Sequence, residues 1–80
     1  METRVATIAI IIESNDSAAA INSILHDYSK YIVGRMGLPY RQREMNIISV
    51  VIDAPHDIIS ALSGKIGRLD GVSAKVVYSK

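Results

Sequence analysis

With 80 residues, nine basic against eight acidic side chains and a net charge of +1, the chain reads as one small domain spanning 1–80. It has no cysteine, Phe or Trp, which excludes disulfides, thiolate metal sites and thiol redox chemistry and leaves neither the basic surface nor the aromatic platform of a nucleic-acid binder. A core from so short a chain is only marginally stabilising unless disulfides, metal or self-association add to it.

The first predicted element, Arg4 to Glu13, is rich in Ile, Val and Thr and reads as a strand buried on both faces. Its short apolar run passes straight into Glu13-Ser14-Asn15-Asp16, where a secretion signal needs a longer apolar core. No segment reaches membrane-spanning length, so a cytoplasmic location is expected. The period then changes: Asp16 or Ser17 is placed to cap a helix whose stripe is Ala18, Ile21, Ile24, Leu25 and Tyr28. A second strand follows, roughly Tyr31 to Leu38. Gly34 and Gly37 interrupt it, although glycine weakens a strand interior by about 0.5–1 kcal/mol. Pro39 is expected to end this strand, and the turn beyond it carries Tyr40, Arg41 and Arg43.

The second half repeats the plan. Met45 to Asp53 is a near-continuous apolar strand, and Pro55 stands where a helix begins. That helix carries the stripe Ile58, Ile59, Leu62, Ile66 and Leu69. Asp70-Gly71 reads as a turn, after which Val72, Ala74, Val76 and Tyr78 alternate with polar residues in a last strand. The order strand, helix, strand, strand, helix, strand predicts an α+β, ferredoxin-like βαββαβ sandwich, an antiparallel four-stranded sheet with two helices on one face. Spatial order 4-1-3-2 puts the two most apolar strands in the centre and leaves the glycine-broken second and lysine-bearing fourth strands at the edges, where such residues are tolerated.

The run Gly34-Arg35-Met36-Gly37-Leu38-Pro39-Tyr40-Arg41, with Ile59 to Leu69 and Gly71-Val72-Ser73 at a distance, resembles the regulators of the iron-only hydrogenase system. That family is ACT-like and related to the C-terminal domain of the nickel-responsive repressor, and its members are encoded near hydrogenase maturation genes. The resemblance implies a small regulatory or ligand-sensing protein acting as an oligomeric module. The repressor's square-planar metal site, built from histidines and a cysteine, does not carry over, because this chain has no cysteine and its two histidines, His26 and His56, share no ligand motif. No intrinsic metal site is expected, and the cofactor, if any, is not named by the sequence. The repressor's DNA-binding arm has no counterpart before the first strand, so direct nucleic-acid binding is not expected.

The predicted topology brings Glu13 to Ser17, Leu38 to Arg43, Ser63 to Arg68 and Asp70-Gly71 to one rim. The candidate ligand site therefore comprises Asn15, Asp16 and Ser17 at a helix N-terminus, Gly34, Arg35, Gly37, Pro39, Tyr40, Arg41 and Arg43 around the second strand, and Ser63, Gly64, Lys65 and Arg68 from the second helix. Arginine's planar fork suits a small anionic or polar ligand, or an acidic partner surface. Each feature also has a plainer explanation: Gly64 and Gly67 as close helix–sheet packing, Lys65 and Arg68 as partners of the helix dipole, the histidines as surface residues. Alternation with Ile32, Gly34 and Met36 turns Arg35 away from the helices, toward a second subunit. It likewise puts Thr7, Ala9, Ile11, Ile47, Ser49, Val51 and Val77 on the bare sheet face, which is too apolar for water and reads as the interface of a homodimer or larger homo-oligomer. No nucleophile–base pair or paired metal ligands are legible, so an enzyme is not expected. The other reading is a purely structural oligomerisation or protein-interaction domain without a small-molecule ligand.

Overall fold

Four β-rich runs and two segments of helical period become, in the computed structural model, β1 (Arg4–Ile12), α1 (Ala18–Asp27), β2 (Ile32–Tyr40), β3 (Met45–Ala54), α2 (His56–Gly67) and β4 (Val72–Tyr78). The structure describes residues 2–80. The strands form an antiparallel sheet in the order β2-β3-β1-β4, with β1 and β3 central as expected. This is the ferredoxin-like, ACT-like sandwich.

Period-2 alternation sends Ala6, Ile8, Ile10 and Ile12 of β1 to the helix side, opposite Ile52, Val50 and Ile48 of β3. The predicted helix stripes meet them: Ile21 and Leu25 from α1, and Ile59, Leu62 and Ile66 from α2, are buried. Full burial of each such side chain is worth about 1.5–3 kcal/mol, which makes this layer the main source of stability. Helix α2 packs chiefly on β4, at the opposite edge of the sheet from β2.

Two loops are clasped where β1 ends. The Glu13 N–H donates to the Gly71 carbonyl at 2.7 Å, and the hydroxyl of Ser17, only 7% exposed, donates to the Asp70 carbonyl at 2.7 Å. Ser17 does stand at the start of α1, but its side chain makes no capping bond there. It ties the β1–α1 connection, which includes a 3-10 turn at Asn15–Ser17, to the α2–β4 turn. Removing that hydroxyl with Ser17→Ala is expected to cost about 1 kcal/mol and to lower Tm by roughly 4–8 °C. An unchanged thermal midpoint would show that the clasp contributes nothing.

Three expectations need correction. First, β1 is buried on the helix side only: Thr7 and Ala9 are exposed and Ile11 is half-buried, because nothing in the subunit covers the second face. Second, Pro39 does not end β2. The strand continues to Tyr40, with Pro39 opposite Asn46, because proline's missing N–H is tolerated on an edge strand. Third, Arg35 does not point away from the helices. The β2–β3 register shifts between Ile32 and Gly34, so Arg35 lies opposite the buried Val50 and shares its helix-side face. An extra residue at Val33 reverses the alternation beyond it. The same bulge moves Met36, Leu38 and Tyr40 to the bare face, opposite Ser49, Ile47 and Met45.

Candidate functional site

Strand β2 is exposed along almost its whole length, with only Ile32 and its immediate neighbour Tyr31 half-buried. Its two faces therefore offer different chemistry. On the bare side, register pairs place Ile11, Ile47 and Leu38 in one row, Ala9, Ser49 and Met36 in the next, and Val77, Thr7 and Val51 in the one after. The seven bare-face residues named from the sequence do share this face. Met36 is 70%, Leu38 59% and Val77 70% exposed, and a cluster of apolar side chains open to water is characteristic of an interaction surface.

On the helix side, three cavities follow one another along β2. The first, about 240 Å³, lies where α1 ends and is lined by His26, Ser29, Gly34 and Arg35 among others. Arg35 thus faces the carboxyl end of α1, where a cation complements the helix dipole. The second, about 310 Å³, lies between the start of α1 and the strands, with Ala18 and Asn22 above and Gly37, Pro39 and Asn46 below. The third, about 280 Å³, opens at the rim beside Asn15, Pro39, Arg41 and Glu44. Cationic donors at Arg35 and Arg41 therefore flank a middle section that is mostly apolar.

The structure brings part of the predicted site together. Gly34, Arg35, Gly37, Pro39 and Arg41 all border these cavities, and Asn15 joins them at the rim. Arg43 sits in the one-turn 3-10 helix Arg41–Arg43, and the Tyr40 hydroxyl is held by Gln42 at 3.1 Å. Ser17 is withdrawn into the clasp, while its neighbour Asp16 is exposed. The α2 residues go elsewhere: the Lys65 ammonium sits 5.0 Å over the Tyr28 ring, and the Arg68 guanidinium lies 3.6 Å from where a Gly64 Cβ would stand. With Ser63 half-buried on the same helix, they belong to the side of the sandwich nearer β4. His56 is at the opposite rim, its ring 5.5 Å from Tyr78, over which Arg4 also stacks at 4.1 Å. Among the described residues, no three His, Cys, Asp or Glu side chains gather into a metal-binding group, and no helix is long and apolar enough to cross a membrane.

Sequence reasoning missed Asn22, Asn46 and His26 as neighbours of β2. The two asparagines carry no motif, and only the pairing of β2 with β3 and the placement of α1 bring them to one cavity.

Residues 4–76 match the model of the TM1266-like family, described as "Iron-only hydrogenase system regulator, putative". Among solved structures, the protein TM1266 of Thermotoga maritima is 36% identical, with a TM-score of 0.95, and the match covers 99% of this chain and 100% of that one. A formyltetrahydrofolate deformylase from Pseudomonas putida KT2440 superposes with a TM-score of 0.66 at 14% identity, covering 91% of this chain and 28% of that one. The second likeness concerns the fold alone. Among curated proteins none matches the sequence.

Proposed function

Because the chain belongs to the TM1266-like family of iron-only hydrogenase system regulators, we propose that it is a non-catalytic, cytoplasmic binding module that works as a homo-oligomer. Its open β2 flank takes a small anionic or polar ligand, or an acidic partner surface, and its whole length forms a single regulatory domain. The observation that carries this reading is the exposure of β2 on both faces. A strand left uncovered by its own subunit is a surface available to something else.

The bare sheet face is the assembly surface. Four strands about 4.8 Å apart and some nine residues long at about 3.3 Å each give a face of roughly 19 by 30 Å. Two copies packed on it bury at least about 1,100 Å², close to the lower limit of a stable interface. The covered side chains, Ile11, Ile47, Leu38, Met36, Val51 and Val77, are the ones that a small core leaves in water.

The helix-side flank is the binding surface, with Arg35 and Arg41 as the anion-recognising groups. The test is a thermal-shift series with inorganic phosphate, glutamate and AMP on the untagged chain. At least one anion should raise Tm. Arg35→Ala should weaken its apparent affinity about tenfold, and Arg41→Ala less, with folding stability changed by no more than about 1 kcal/mol through the lost helix-end charge. The second reading, an assembly element without a ligand, draws on the exposed apolar bare face. It is the correct one if no anion shifts Tm while the protein still sediments as an oligomer.

A further inference from the structure

We propose that the cavity over Gly37 binds a small uncharged molecule presenting an amide-like edge, a lactam heterocycle or a carboxamide. The starting observation is a glycine with no role inside the subunit. Gly37 lies opposite Ile48 on the helix side, its backbone is outside the left-handed region, and a Cβ built on it meets nothing within 4 Å. Gly71, by contrast, has φ +70° and a crowded Cβ position. Glycine weakens a strand, so a strand glycine that neither conformation nor packing requires points to something approaching from outside.

The space left open at Gly37 belongs to the 310 Å³ cavity, at the small end of the range for ligand pockets. Its apolar lining includes Ala18 from α1 and Ile12, Pro39 and Ile48 from the strands. Its polar residues are Asn22 from α1, four residues on from the lining residue Ala18, and Asn46 from β3, which pairs with Ile12 on the helix-side face; among the described residues its lining holds no ionisable residue. An ion entering such a slot is desolvated without a counter-charge, which is unfavourable. A neutral group carrying both N–H and C=O is matched, because each asparagine amide offers one acceptor oxygen and an NH₂ donor. The selectivity is therefore opposite to that of the arginine-bearing cavities on either side. The inference rests on the binding-module reading but concerns a different ligand chemistry.

The test is a titration of the ¹⁵N-labelled chain with nicotinamide and uracil, and with benzoate as a charged probe of similar size. The readouts are the side-chain NH₂ resonances of Asn22 and Asn46 and the backbone N–H of Gly37. At least one neutral probe should shift all three saturably, with benzoate weaker by about tenfold or more. Gly37→Val, which meets open space and should melt like the parent, should abolish the shifts. Asn22→Ala, at an exposed helix position, should weaken them and serves as the second variant if Gly37→Val fails to fold. The proposal is overturned if neither neutral probe moves these resonances, if benzoate binds equally well, or if the variants respond as the parent does. Such a failure leaves the anion series above unaffected, so the two readings fail separately.

Discussion

Gly71→Val is expected to destabilise the fold by roughly 2–4 kcal/mol and to lower Tm by at least about 10 °C. Two costs combine at this position. Gly71 has φ +70°, a conformation that costs an L-residue about 1–2 kcal/mol. Its new Cβ would also stand 2.7 Å from the Ser14 Cβ and 3.2 Å from the Ser14 nitrogen. Neither segment can yield freely, because Glu13 is bonded to Gly71 and Ser17 to Asp70 across the same junction. Chemical denaturation would measure the loss. Gly34→Val is the control: its Cβ meets open space, and the two variants should differ by most of the effect. Equal stability of the two would remove the clasp from the account.

Leu38→Asp should convert the assembled protein to monomers while leaving each subunit folded. Leu38 ends the row Ile11–Ile47–Leu38 on the bare sheet face and is 59% exposed within one subunit. An aspartate there is solvated in the monomer, where exposed substitutions change stability by about 0.5 kcal/mol or less. In a sheet-to-sheet contact the same carboxylate would be buried without a partner. A penalty of roughly 3 kcal/mol weakens association about 100-fold. Sedimentation at micromolar concentration, with circular dichroism to establish folding, separates the effects. A Leu38→Asp variant that sediments like the parent would exclude this face from the interface.

Much of the fold was legible because local signals agreed. The 3.6-residue spacing of Ile21, Leu25, Ile59, Leu62 and Ile66 marked the helix faces that are buried, and the near-continuous apolar runs marked the central strands. The direction of Arg35 was not legible. A strict period of two predicts one face, and a single extra residue at Val33 delivers the other. No side chain at that bulge announces it, since Val33 is a good strand former and is simply left exposed. The candidate site was legible in part for the same reason. Gly34 and Gly37 stood out as costly in a strand, and both border open cavities. The predicted topology also brings Lys65 and Arg68 to the rim of the Leu38 to Arg43 turn, because α2 ends there. That rim is wide, however, and α2 sits toward β4 while β2 forms the other edge. Asn22 and Asn46 are neighbours only across the tertiary fold, which is a kind of proximity that spacing along the chain does not carry.

The uncovered sheet face is expected to be closed by a second copy of the chain. Sedimentation equilibrium of the untagged protein at micromolar concentration tests it most directly. The predicted result is a mass of two chains or an even multiple, falling toward one chain on dilution. A mass of one chain across the whole concentration range would contradict it.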